Sequence, residues 1–154
     1  MQKKGDSIHA IVPIKKLSRC KSRLSATIGS SERRLLVLAM FRDVVNILAG
    51  HSDISDISIL TQAPSDFRYQ IPSGVKLVDE TKLRDGAGGL NYSLKAGLAR
   101  ICESGKEHIL IVHGDLPLLS MEDISAVVKN LSQGYDLVFG SDRKAVGTNL
   151  LAFR

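Results

Sequence analysis

The chain has no tryptophan, and only three tyrosines and four phenylalanines among its 154 residues. Surfaces that grip single-stranded nucleic acid stack bases on aromatic rings, so this composition argues against such a platform. The two cysteines, Cys20 and Cys102, lack metal-ligand spacing and cannot build a disulfide framework, which points to a reducing cytoplasm. The longest uninterrupted apolar run, Leu35 to Phe41, is far too short to cross a bilayer. No apolar core or small-residue cleavage site follows Met1-Gln2-Lys3-Lys4-Gly5-Asp6, so no signal peptide is expected. Neither G-x-G-x-x-G nor a glycine-rich loop ending in G-K-[ST] is present. Acidic residues are missing altogether from Ser7 through Ser31.

That acid-free stretch holds Lys15, Lys16, Arg19, Lys21 and Arg23, in a chain of net charge +5 and pI about 9.4. Cations packed so closely repel one another unless an anion compensates, so a small anionic ligand is the natural partner; a solvated basic loop is the plainer alternative. Cys20 lies among these cations and is read as a small filler residue; a thiol made reactive by a lowered pKa is the lesser alternative.

Length and composition indicate one soluble globular domain. Ile8 to Pro13 reads as a first strand, followed by the basic loop. Ser30 or Ser31 caps a helix with Glu32 in its first turn. Leu35, Leu36, Leu38, Ala39, Phe41, Val44, Val45 and Leu48 keep helical spacing along it, and Gly50 ends it. Strands are expected at 56–61, 75–78, 108–112 and 136–140, with a last, antiparallel strand over 148–153. A connector over 64–74 has room for a short helix, a second helix begins at Asn91, and a third is capped by Ser120 with Asp123 at the capping-box position and closed by Gly134. Alternating strands and helices predict an α/β fold with a mostly parallel open sheet flanked by helices.

In such sheets ligands bind beyond the carboxyl ends of the strands. Three segments fall there besides the basic loop. His108 to Val112 leads through His113 and Gly114 to Asp115, with Pro117 preventing the strand from continuing. A carboxylate at that point suits a divalent metal on a phosphate substrate, or a solvated helix-capping turn. Asp85-Gly86-Ala87-Gly88-Gly89-Leu90-Asn91 lets the backbone approach a ligand, with Asn91 offering amide groups to a base or sugar. Gly147-Thr148-Asn149 presents backbone amides and a hydroxyl to a carboxylate or phosphate. The last two read equally as a plain loop and an ordinary turn.

Taken in order, V-P-x-K…K-S-R-L, G-L-N, D-L-P-L-L and G-T-N-x-L resemble the 2-phospho-L-lactate guanylyltransferase family, which includes the phosphoenolpyruvate guanylyltransferases of coenzyme F420 biosynthesis. The resemblance spans residues 8 to 153. It implies a nucleotidyltransferase fold like that of nucleotide-diphospho-sugar transferases. It also implies transfer of GMP from GTP to 2-phospholactate, phosphoenolpyruvate or 3-phosphoglycerate, with pyrophosphate released. By the same resemblance Pro13, Lys15, Lys21, Arg23, Gly89 and Asn91 form the nucleotide site. Lys15, Lys21 and Arg23 then face the triphosphate, and Gly89 and Asn91 the nucleoside. Asp115 would hold Mg²⁺ and, with Lys21, carry catalysis; Thr148 and Asn149 would hold the acid.

Attack by an already ionised phosphate needs no general base, so His113 is read as a strand-end residue, and His9, His51 and His108 receive no role. The family pattern continues with an acid-binding segment and a second metal-binding aspartate that this sequence lacks, so a C-terminally shortened member is expected. Asp142 has no spacing that supports a substitute role. A homodimer is expected if shortening leaves apolar surface open. A non-catalytic GTP- or partner-binding remnant, and a nucleotidyltransferase with another phosphorylated acceptor, remain open as alternatives.

Overall fold

The computed structural model describes residues 7–21, 24–83, 95, 98, 108–144 and 146–154. Within them run β1 (Ile8–Pro13), α1 (Ser30–Gly50), β2 (Ile54–Thr61), α2 (Pro64–Phe67), β3 (Lys76–Asp79), β4 (His108–Val112), α3 (Met121–Ser132), β5 (Leu137–Ser141) and β6 (Thr148–Phe153). The glycine-bearing loop and the helix expected from Asn91 lie outside the described residues, isolated positions 95 and 98 apart.

β1 is buried at all six positions, as a central strand covered on both faces must be. It pairs in parallel with β2 on one side and β4 on the other, and β2 pairs in parallel with β3. β6 runs antiparallel to both β4 and β5, giving the order β3-β2-β1-β4-β6-β5. The mostly parallel sheet and its antiparallel last strand match the sequence reading. β2 begins earlier than the apolar pattern indicated, because Ile54 already pairs with Ile8.

Alternation along the strands divides the interior into two faces. Ala10 and Val12 of β1, Ile57 and Ile59 of β2, and Leu110 and Val112 of β4 face α1 and α3. There they meet Val37, Met40, Phe41, Val44, Val45 and Leu48 of α1 and Ile124, Val127 and Leu131 of α3. Phe41 packs on Phe67 of α2 with ring centroids 4.9 Å apart. Ile11, Leu60, Leu83 and Ile109 form a smaller cluster on the opposite face.

Leu35 and Leu36, expected on the apolar stripe of α1, are instead exposed. They precede the first buried position of the helix, Val37. The expected serine cap also differs. Gly29 is the N-cap residue, and its N–H donates to Glu32 Oε2 at 2.8 Å.

The chain passes from β1 to β2 to β3 in one direction and resumes with β4 on the other side of β1. A crevice therefore opens beyond the carboxyl ends of β1 and β4, where an open α/β sheet receives its ligand.

Candidate active site

Two loops enter that crevice. The first leaves β1 at Pro13, which is buried, so its part is to end the strand and direct the loop rather than to present a surface. Ile14 N–H donates to the Leu60 carbonyl at 2.9 Å, and Leu17 inserts into the core. The Leu17 N–H donates to Asp66 Oδ2 at 3.0 Å, tying the start of a single 3₁₀ turn, Leu17–Arg19, to α2. Cys20 Sγ donates back to the carbonyls of Lys15 (3.3 Å) and Lys16 (3.4 Å). The thiol is thus a clasp across the basic loop.

Burial pushes the Cys20 thiol up from its ordinary value, the Asp115 carboxylate adds to this, and Lys15 and Lys21 oppose it. Of the two readings of Cys20, the low-pKa, reactive thiol is therefore the one the structure speaks against. Loss of water and the carboxylate together outweigh the cations that the sequence shows nearby.

The second loop leaves β4 at Val112. His113 N–H donates to the Asn149 carbonyl at 3.2 Å, stitching this loop to the start of β6. Thr148 and Asn149 thereby stand at the same end of the sheet as Asp115, because β6 runs against β4 with Leu150 opposite Val112. Gly114 follows with no room for a side chain, and Asp115 then faces the first loop.

The two loops meet in one contact, Lys21 Nζ to Asp115 Oδ2 at 2.8 Å, with both side chains partly exposed. Lys21 reaches it from a left-handed backbone, φ 49°, unusual for a residue with a side chain. Lys15 is exposed on the same loop. Arg23, Gly89 and Asn91 lie outside the described residues.

Among the described residues no cluster of three or more His, Cys, Asp or Glu side chains could hold a metal. Asp115 is thus not part of a ready-made ligand cluster, and it is already matched with one cation. A hard divalent ion fits such a site when phosphate oxygens and water fill its other positions. Asp142 is committed elsewhere: its Oδ1 accepts from the N–H groups of Lys144 (3.0 Å) and Val146 (3.1 Å) and shapes the β5–β6 turn.

Asp66 escaped the sequence reading. Its signal was present, an acidic residue two positions after Pro64 at a helix start, but the partner amide lies 49 positions away.

The family described as "Guanylyl transferase CofC like" matches residues 8–154. The chain belongs to this family. Among relatives of this CofC-like chain, the phosphoenolpyruvate guanylyltransferase of Thermobaculum terrenum is 31% identical over 145 residues, covering 94% of this chain and 60% of that protein. The 2-phospho-L-lactate guanylyltransferase of Methanothermobacter thermautotrophicus is 30% identical, covering 94% of this chain and 61% of its own length. The 3-phospho-D-glycerate guanylyltransferase of Phenylobacterium zucineum is 31% identical, covering 94% and 66%. The CofC-like chain thus spans 60–66% of the length of these relatives.

Among solved structures, one described as a nucleotide-diphospho-sugar transferase from Desulfovibrio desulfuricans G20 superposes with TM-score 0.79 at 18% identity, over 97% of this chain and 64% of that one. A manganese complex of Rv0371C from Mycobacterium tuberculosis superposes with TM-score 0.58 at 18% identity, over 97% and 72%. At these identities the likeness establishes the fold, the nucleotidyltransferase-like α/β architecture. No helix among the described residues is long and apolar enough to cross a membrane.

Proposed function

We propose that this chain transfers GMP from GTP to a phosphorylated three-carbon acid, releasing pyrophosphate, within coenzyme F420 biosynthesis. The observation that carries this reading is the meeting of Lys21 and Asp115 at the β1–β4 crevice. Family membership supports it, as do relatives named for phosphoenolpyruvate, 2-phospho-L-lactate and 3-phospho-D-glycerate.

A phosphate oxygen of the acid attacks the α-phosphorus of GTP. The new P–O bond gives a diphosphate linkage, the α–β bridge bond breaks, and its electron pair leaves with pyrophosphate. Two polyanions must approach, so the site must first offset their repulsion. Lys15, Lys21 and Arg23 neutralise the triphosphate, and Pro13 aims their loop. Gly89 and Asn91 receive the nucleoside. Thr148 and Asn149, at the start of β6, take the acid. Asp115 would hold Mg²⁺, which would supply further positive charge to the triphosphate. The rate advantage then comes from positioning and from cations fixed where charge builds up.

We place the reaction in the cytoplasm, which suits the free Cys20 thiol. We also place a second copy of the chain against the apolar edge strand β5.

The test is pyrophosphate release from GTP and Mg²⁺ with each of the three acids in parallel, with Asp115→Asn beside the parent. Release is expected with one acid and is expected to fall by about 100-fold or more in Asp115→Asn, the scale on which loss of a fixed electrostatic group slows such reactions. Absence of release from folded protein that binds GTP would overturn the enzyme reading and leave a nucleotide-binding module. That second reading has its own observation: among the described residues Asp115 belongs to no cluster of three or more metal-ligating side chains.

A further inference from the structure

The Lys21–Asp115 contact raises a question of charge. An ammonium 2.8 Å from a carboxylate oxygen occupies the ground on which a metal ion would sit. A divalent cation bound to Asp115 would lie within a few ångströms of that ammonium, and their repulsion at such range is severe. The two compete for the carboxylate.

The loop is built to bring the lysine there. The Cys20 thiol holds the carbonyls of Lys15 and Lys16, Asp66 holds the Leu17 amide, and Leu17 is anchored in the core. Immediately after this pinned turn, Lys21 adopts φ 49°. That region is unfavourable for residues with a Cβ, and such outliers persist where the surroundings enforce them. The backbone is therefore held at the root of a side chain that is partly exposed to solvent. Lysine suits such a position, being a compact point charge on a flexible stem with no planar fork to lock it to one partner.

We propose that Lys21 is a resident counter-cation. It neutralises Asp115 while the site lacks metal, and it transfers to the triphosphate when nucleotide arrives, releasing Asp115 to the metal. This rests on Asp115 being the metal-holding residue of the proposed guanylyltransferase. The triphosphate carries several negative charges and outcompetes one carboxylate for the ammonium. Metal alone must displace Lys21 with no compensating partner for it, so metal alone binds weakly. Nucleotide and metal together satisfy every charge. The two ligands are therefore positively coupled, and thermodynamic linkage makes that coupling equal in both directions.

The experiment is titration with Mn²⁺ alone, reading free Mn²⁺ by electron paramagnetic resonance, on the parent, Lys21→Met, Lys15→Met and Asp115→Asn. It is repeated with a non-hydrolysable α,β-methylene analogue of GTP. Lys21→Met is expected to bind Mn²⁺ alone about three- to fivefold more tightly than the parent, the range set by loss of a partly exposed ion pair. Lys15→Met removes the same charge from the same loop without touching Asp115, and is expected to change Mn²⁺ binding far less. The analogue should strengthen Mn²⁺ binding more in the parent than in Lys21→Met. Thermal melts verify folding, and Lys21→Gln, which keeps a polar head, should act in the same direction as Lys21→Met.

Equal effects of Lys21→Met and Lys15→Met would reduce the result to general charge and overturn the proposal. So would unchanged Mn²⁺ affinity in Lys21→Met while Asp115→Asn abolishes binding; the metal-holding role of Asp115 would then survive. Mn²⁺ binding undiminished in Asp115→Asn with the analogue present would instead overturn that role, and this inference with it.

Discussion

A methyl group added at Gly114 would lie 3.1 Å from both Ile14 Cδ1 and Val12 Cγ1, and 3.3 Å from Phe41 Cδ2. Val12 and Phe41 are fully buried and Ile14 nearly so, so none of them has space to retreat. Gly114→Ala is therefore an overpacking substitution at the root of the Asp115 loop. It should cost about 1–3 kcal/mol of stability, measured by urea unfolding, and should lower pyrophosphate release beyond what the loss of folded protein explains. Gly114 follows the end of β4, and the chain turns there. Its φ is not positive, unlike those of Gly74 and Gly134 among the described glycines, so the turn there does not itself require glycine. What matters at 114 is volume, which no single-sequence pattern displays. Asp115 itself was legible because a buried strand, a glycine and a proline bracket it. Its partner Lys21 was not, because the contact joins loops 94 positions apart (115 − 21). The reactive alternative for Cys20 arose for a related reason: the neighbouring cations are visible in the sequence, whereas burial and the approach of Asp115 are not.

Helix ends show which local signals survive folding. Ser120 Oγ accepts from the Asp123 N–H at 3.2 Å, and Asp123 Oδ2 accepts from the Ser120 N–H at 2.9 Å, a reciprocal cap that the spacing announced. At α1 the same reasoning chose Ser30 or Ser31, yet the chain enters the helix one residue earlier, at Gly29. Glu32 was the reliable part of that signal, because its carboxylate reaches back to the free amide whichever residue precedes the helix. These two ends make a paired prediction. Ser120→Ala should destabilise the fold by about 1 kcal/mol, the usual cost of a lost N-cap oxygen, lowering the urea midpoint with an unchanged slope. Ser31→Ala, whose hydroxyl makes no capping bond, should leave the midpoint unmoved. Equal shifts in both variants would show that helix propensity, not the cap, governs these ends. The exposure of Leu35 and Leu36 carries a parallel lesson: periodicity marks an apolar stripe, but only the sheet beneath decides how much of it is covered.

At the scale of the whole molecule, strand order decides what is left uncovered. The alternation of strands and helices foretold the sheet, and its antiparallel last strand was legible from the residues of β6. That β6 would insert between β4 and β5, leaving β5 at the edge, was not, because pairing order is a property of the assembled sheet. On β5, Leu137 and Phe139 are 56% and 66% exposed, side by side with Phe153 and Leu151 of β6. An edge strand with apolar side chains and open backbone groups favours pairing with another chain. A net charge of +5 opposes it. The balance between these two terms can be shifted experimentally. Raising salt screens charge repulsion and leaves apolar burial intact, so sedimentation velocity should show the parent chain associating more strongly at high ionic strength. Phe139→Lys should abolish that association at every salt concentration, because it breaks the stripe and adds charge at the contact itself. Lys144→Ala, nearby on the β5–β6 turn, lowers net charge without touching the stripe and should strengthen association at low salt. A parent chain that stays monomeric throughout would show that the exposed stripe is too small to overcome charge and the entropy of docking, and the second copy placed against β5 would have to be withdrawn.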